Sequence, residues 1–122
     1  MAFTRILVAA TFTTALSGAT LAQTTLVEVD DRAMVAPFGI AADLLDDIDV
    51  YSQAGVEIGD VEEIVGPDRQ TATHLVVDFD DDDGYPDRDD VIVPIEAFAL
   101  DANRLVISLT PQDVQPLPIW DD

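Results

Sequence analysis

Residues 50–65 read VYSQAGVEIGDVEEIV, and this stretch decides the fold because it predicts two strands joined by a turn. The first strand ends at Tyr51, and the second begins at Val56. Between them Gly55 favours a tight turn, since glycine adopts positive φ angles at little cost. Gly59 interrupts the alternation of the second strand, which is typical of a bulge or a sharp bend. The stretch therefore predicts a strand pair with an irregular second strand.

The chain after residue 65 continues as short apolar strands separated by turns. Its clearest strand is residues 74–79, where Leu75, Val77 and Phe79 are predicted on one face and the intervening residues on the other. Further strands are predicted around residues 91–95 and 105–109, with the apolar residues Phe98 and Leu100 between them. Many short strands with turns between them predict an all-β fold, either a small antiparallel barrel or a sandwich.

A short helix is predicted after the last strand. Thr110 is a suitable N-cap, Pro111 suits the first helical position, and Asp113 stands at the third. Pro116 and Pro118 stop the helix because proline lacks the backbone N–H that a helix requires. The apolar residues up to 120 are predicted to pack back on the sheet.

Residues 1–22 have the layout of a secretory signal peptide. Arg5 precedes an apolar run over residues 6–16, and a small residue, Ala22, comes directly before Gln23. The run is shorter than the roughly 20 residues that span a bilayer. We expect cleavage, a periplasmic or extracellular location and no stable membrane insertion afterwards. The alternative is an uncleaved membrane anchor.

Residues 23–42 form a lead-in to the predicted domain, residues 43–120. Met34, Val35 and Phe38 make the lead-in too apolar for a free tail. It is predicted either to pack across the domain or to dock on a partner. Residues 41–47 are compatible with one helical turn.

Acidic residues far outnumber basic ones. The chain has 25 acidic residues against five Lys and Arg, for a formal net charge of −20 at pH 7. Such a surface repels phosphate backbones and anionic membranes, so nucleic acid is excluded as a partner. It attracts cations and basic partners, or simply keeps the protein soluble in a salty medium. With no Cys, thiol redox chemistry and thiolate zinc sites are excluded as well.

The ordered set of strands and turns resembles a PRC-barrel domain over residues 43–120. The matching residues are Leu44-Leu45, Val50-Tyr51, Gly55, Glu57-Ile58-Gly59, Val61, Leu75-Val76-Val77-Asp78, Val91-Ile92-Val93-Pro94, Leu105-Val106, Thr110 and Leu117-Pro118. Asp46-Asp47 departs from the pattern, since the family usually has a Gly there. The resemblance implies a small antiparallel β-barrel with a short C-terminal helix. It also implies an interaction or assembly module without a catalytic motif.

The acidic run DDDDGYPDRDD, residues 80–90, is predicted to be a loop and is the stretch best suited to a metal. Calcium takes six to eight oxygen ligands, largely from carboxylates and carbonyls. The candidate ligands are Asp81, Asp83, Asp87, Asp89 and Asp90. The spacing is a broken match to an EF-hand loop, because Phe79 falls at the first ligand position. The alternative is a solvated acidic loop.

Catalysis has little support in the sequence. His74 is the single His, and no nucleophile motif accompanies it. The sequence therefore predicts an exported, non-catalytic binding or assembly module that takes a protein partner or associates with itself. The alternative function is calcium binding through the acidic loop of residues 80–90.

Overall fold

The computed structural model describes residues 25–121, so the predicted signal peptide lies outside the described residues. The strands are β1 (Val27–Glu28), β2 (Met34–Val35), β3 (Ile40–Ala41), β4 (Asp49–Tyr51), β5 (Glu57–Gly66), β6 (His74–Phe79), β7 (Arg88–Pro94), β8 (Phe98–Asp101) and β9 (Arg104–Ile107). Two 3-10 helices span Ala42–Leu44 and Ile95–Ala97, and helix α1 spans Pro111–Val114. The all-β prediction is confirmed. Over the same residues, no helix has the length and apolar character needed to cross a membrane.

Seven strands form one sheet in the order β7-β6-β5-β4-β9-β8, and β1 pairs with the second half of β5. β2 and β3 form a separate two-stranded sheet. The predicted antiparallel arrangement holds for every pair except β4 and β9, which run parallel. The parallel pair is possible because four strands, β5 to β8, lie between β4 and β9 in the chain. They return the chain to the same end of the sheet.

One buried cluster on a single face of the sheet forms the main core. It draws side chains from β4 to β9 and from the lead-in. Its strand members include Val50, Ile58, Leu75, Val77, Phe79, Val91, Val93, Leu105 and Ile107. Val35 and Ala42 of the lead-in are buried in the same cluster, which confirms that this segment packs across the domain. Val27 and Met34 of the lead-in are exposed instead, Met34 with 61% of its surface.

The predicted acidic loop is shorter than residues 80–90, because β7 already begins at Arg88. Acidic side chains can occupy this end of an edge strand, since their backbone pairs while their carboxylates face water. The loop is also anchored. Tyr85 is buried, stacks on Phe79 with ring centroids 5.9 Å apart, and donates its hydroxyl to the Leu109 carbonyl at 2.5 Å.

Three register shifts interrupt the central strands. The first skips Ile58, beside Gly59, and confirms the predicted bulge. The second skips Glu62, between the pairs that Val61 and Glu63 make with β6. The third sets Asp78 of β6 against two residues of β7, since Val77 pairs with Val91 and Phe79 pairs with Arg88. Bulges redirect side chains, so these shifts decide where the acidic residues of the central strands point.

The end of the described chain follows the prediction. Thr110 and Asp113 form a capping box at the start of α1. Beyond the helix, residues 115–121, called here the tail segment, run back along β7. The backbone N–H of Ile92 donates to the Pro118 carbonyl at 2.8 Å, and that of Trp120 donates to the Asp90 carbonyl at 2.6 Å. The predicted packing of this segment on the sheet is confirmed.

Candidate functional site

The outer face of β5, β6 and β7, opposite the main core, carries two adjoining zones. The first is an apolar zone formed by Val65, Val76 and Ile92, against which Leu26 and Trp120 pack. The second is a carboxylate cluster formed by Glu62, Asp78 and Asp90. Side chains alternate along a strand, so Val76 and Asp78 share this face.

The carboxylate cluster brings together three strands. One carboxylate oxygen from each of Glu62, Asp78 and Asp90 lies within 4.8 Å of the other two. Glu62 stands at the bulge of β5, and Asp90 adopts the left-handed conformation with φ of 57° at the bulge of β7. The Asp90 N–H donates to Asp78 Oδ1 at 2.8 Å, which fixes the central carboxylate. The bulges thus place all three half-buried side chains at one point.

The proximity of the carboxylates raises the pKa of one of them, Glu62. A side-chain hydrogen bond with Asp78, together with burial and the negative charge of Asp78, raises the pKa of Glu62 from 4.5 to about 7. Asp60 adds a second hydrogen bond with Glu62, and burial raises the pKa of Asp60 itself. Glu62 therefore keeps a proton at pH values where an isolated glutamate is ionised.

A hard cation fits this arrangement. Three carboxylates offer up to six oxygens, and Asp60 lies within hydrogen-bonding reach of Glu62. Calcium binds oxygens at about 2.4 Å, so two ligands on opposite sides of the ion are about 4.8 Å apart. The ligand oxygens of the cluster all lie within that distance of one another. A cation there would replace the proton of Glu62 and offset the repulsion between the carboxylates.

The residues predicted as ligands are mostly elsewhere. Asp90 belongs to the cluster, but Asp81, Asp83, Asp87 and Asp89 are exposed, and they are not among the carboxylates that converge within residues 25–121. Binding of calcium by the loop itself stays a prediction.

Glu62 and Asp78 were not among the residues predicted as ligands. The one available indication was Asp78, which alternation places on the outer face of the largely apolar strand β6.

A second polar feature is an open groove of about 360 Å³ lined by Glu28, Val29, Asp30, Asp31, Arg32 and Arg69. The guanidinium of Arg69 pairs with Asp30 at 3.5 Å, and the Arg32 N–H donates to the same carboxylate at 3.0 Å. The Arg32 hydrogen bond, with help from Arg69, lowers the pKa of Asp30. Arg69 is thus already paired, and the acidic lining opposes an anionic ligand.

His74 is partly buried on the outer face, and its Nδ1 lies 2.8 Å from the Thr73 hydroxyl. Burial lowers the pKa of His74, which favours a neutral ring at pH 7. The ring is thereby engaged with its chain neighbour.

The candidate site on the outer face of β5 to β7 is defined by the side chains that it brings together. It combines three half-buried carboxylates with an adjoining apolar zone that Leu26 and Trp120 cover. The PRC-barrel resemblance stays a prediction, because no protein-family model and no curated protein matches this sequence.

Proposed function

We propose that the protein is an exported, non-catalytic binding module with a PRC-barrel-like fold. Barrel character is supported by the core, to which every strand from β4 to β9 contributes. It is also supported by the short link between β7 and β8, the outermost strands of the sheet, which only Ile95–Ala97 separates. Export is supported by the composition of residues 1–22, and a binding role by the net charge of −20.

The ligand that the geometry favours is a divalent cation such as Ca²⁺, held by the carboxylate cluster. The observation that carries this proposal is the approach of Glu62, Asp78 and Asp90 to within 4.8 Å. Like charges at this distance repel one another, so a bound cation stabilises the folded state. The candidate site is therefore the outer face of β5 to β7, rather than the exposed loop.

A partner protein is the second candidate ligand. Met34 of the lead-in and Leu44 of the 3-10 helix after it are 61% and 63% exposed. Exposed large apolar side chains favour contact with another molecule over free solvation. This candidate is compatible with cation binding, because the two features lie on different parts of the chain.

Calcium is expected to raise the thermal stability of the protein. Thermal melts at pH 7.5 are compared in chelator, in millimolar CaCl₂ and in NaCl of matched ionic strength. A ligand at 100 times its Kd stabilises by about 2.7 kcal/mol. That gain raises the Tm of a domain of this size by about 10 °C or more. Equal shifts in CaCl₂ and NaCl would mean that salt only screens the net charge, and would contradict the proposal.

Variants locate the cation in the same experiment. Glu62→Gln is expected to abolish the calcium response, because it removes a ligand of the cluster. The matched control is the double variant Asp81→Asn and Asp83→Asn, which removes two exposed loop carboxylates and should keep the response. If only the loop variant loses it, the binding site is the loop.

The stability of the cation-free protein is expected to depend on pH through Glu62. Its pKa is 4.5 in an ordinary environment and about 7 in the fold. Between these values the folded state holds a proton that the unfolded chain has released. The contribution of Glu62 to the free energy of unfolding is therefore largest below about pH 4.5, and it falls as the pH rises towards 7. We expect a loss of about 1 kcal/mol, reduced from the full linkage because water screens a half-buried carboxyl.

Urea unfolding at pH 5 and pH 7.5 in chelator measures this dependence. Asp60 shifts in the same direction, so the comparison between wild type and Glu62→Gln isolates Glu62. The Gln variant should be more stable than wild type at pH 7.5, since its amide can donate a hydrogen bond without a charge. The exposed substitution Glu28→Gln is the control. A Glu62→Gln variant with the wild-type pH dependence would rule out the shared proton.

A further inference from the structure

Among the described residues, the tail segment alone covers the free edge of β7. β7 ends the strand order of the sheet over residues 25–121, and its other neighbour is β6. The tail segment contributes a single antiparallel bridge, Val91 with Ile119, flanked by the two backbone hydrogen bonds given above. An uncovered strand edge presents unpaired N–H and C=O groups to any extended chain.

The tail segment is a poor partner for that edge. Pro116 and Pro118 have no backbone N–H to donate. Ile119 is 49% exposed, so its side chain gains little from the contact. The indole Nε1–H of Trp120 is buried and has no acceptor among the described residues. A strand with a full set of N–H groups and without a buried unpaired donor would pair more completely.

The surface beneath the tail segment combines an apolar zone with negative charge. Trp120 lies opposite Asp90 in the pairing, and Pro118 lies opposite Ile92. Along β7, Ile92 and Asp90 are two residues apart, which is roughly 7 Å along a strand. An extended chain in the place of the tail segment would therefore set one residue over apolar surface and the residue two positions away beside the carboxylate cluster.

Charge decides which extended chain fits. The protein carries a net charge of −20, so a second copy of it would bring like charge to this face. Opposite charge speeds the encounter of two partners and discriminates against like-charged ones. A basic segment is the occupant that both the charge and the carboxylate cluster favour.

We propose that the β7 edge is a docking site for a basic, extended peptide strand of a partner protein, which displaces the tail segment. The partner strand pairs with β7 through backbone hydrogen bonds, in the manner of β-strand addition. It places an apolar side chain opposite Ile92 and a Lys or Arg opposite Asp90. This inference rests on the proposed binding function and names the chemistry of the partner.

Trp120 allows a direct test, because it is the only Trp of the chain. Its fluorescence is followed in the full-length protein during titration with the capped peptide Val-Thr-Lys-Thr-Val-Thr-Lys. We expect a saturable red shift, because displacement moves the indole into water. Two control peptides replace Lys with Glu, or carry N-methyl groups on the backbone nitrogens of Val and Lys, whose N–H groups would face β7. Both should bind at least about tenfold more weakly, since the first reverses the charge and the second removes the backbone donors that pair with β7.

Loosening the tail segment should favour the peptide. A chain truncated after Gln115 is expected to bind the basic peptide about tenfold more tightly by calorimetry, because nothing has to be displaced. Binding without a change in Trp120 emission would mean non-specific attraction to an acidic surface and would overturn the proposal. So would equal binding of the N-methylated peptide, or no binding.

A truncated chain that dimerises in sedimentation and ignores the peptide would identify a second copy as the occupant, which also overturns the proposal. The same protein samples are melted with calcium in the absence of peptide. If calcium stabilises the protein but the peptide does not bind, only the docking proposal is contradicted. If the peptide binds but calcium does not stabilise the protein, only the cation proposal is contradicted.

Discussion

Replacing Arg88 with methionine is expected to lower the free energy of unfolding by about 3 kcal/mol. The guanidinium donates to three backbone carbonyls, those of Val114 at 2.9 Å, Gln115 at 2.8 Å and Leu117 at 2.9 Å. These carbonyls belong to the last residue of α1 and to two residues just after it, where backbone acceptors lack helical partners. A hydrogen bond from a charged donor contributes about 1.5–3 kcal/mol, and three bonds from one half-buried group contribute less than their sum.

The loss is measured by urea unfolding and by the melting temperature, which should fall by about 15 °C. Methionine keeps most of the aliphatic length of the side chain, so the difference reports on the hydrogen bonds. Arg88→Lys should recover only part of the loss, because an ammonium group does not reproduce the planar fork of a guanidinium. Trp120 emission should shift to the red in the Met variant, since the tail segment loses its anchor.

The matched control is Arg69→Met. Arg69 makes an exposed ion pair with Asp30 at 3.5 Å, and such pairs contribute about 0–1 kcal/mol. Both substitutions remove one positive charge from a protein of net charge −20, so the change in overall repulsion is the same. Equal losses for the two variants would show that charge alone matters and would contradict the anchoring role of Arg88.

The contacts of Arg88 could not be predicted from the sequence, whereas several strands and the helix could. Alternating apolar residues located β6, and the cap and proline positions located α1, because these patterns are local. Arg88 stands among aspartates, a composition typical of a solvated loop. Its strand pairing depends on β6, and its side chain reaches carbonyls 26 to 29 residues away. Contacts between residues so far apart in the chain produce no periodic pattern in the sequence.

The carboxylate cluster was hidden for a related reason. Alternation along β6 was enough to place Asp78 on the outer face. Its meeting with Glu62 and Asp90 depends on strand order and on two bulges that shift the register. A one-residue shift reverses the face of every later side chain in a strand, so an unrecognised bulge hides the site. The one irregularity visible in the sequence, Gly59, lies three residues before Glu62 and marks a different bulge.

Replacing Gly66 with alanine is expected to lower the free energy of unfolding by at least about 3 kcal/mol, at the upper end of the usual cost of overpacking. A Cβ atom at this position would lie 1.6 Å from the Thr71 carbonyl oxygen and 2.8 Å from its carbon. Both are backbone atoms, so no side-chain rotation relieves the clash. The surrounding chain is fixed by the pairing of Gly66 with Val27 and by the Thr73 N–H, which donates to the Val65 carbonyl at 3.0 Å.

Gly39→Ala is the control, because it separates close packing from backbone conformation. Gly39 has φ of 73°, and no atom lies within 4 Å of the position that a Cβ would take, so alanine there is strained but free of clashes. Its expected cost is about 1–2 kcal/mol. Both variants are compared with wild type by urea unfolding. The sequence Gly66-Pro67-Asp68 is typical of a turn, a role that requires conformational freedom of Gly66 but no close packing. If Gly66→Ala costs no more than Gly39→Ala, residues 67–72 can move outward freely, and the close approach at the end of β5 does not stabilise the sheet.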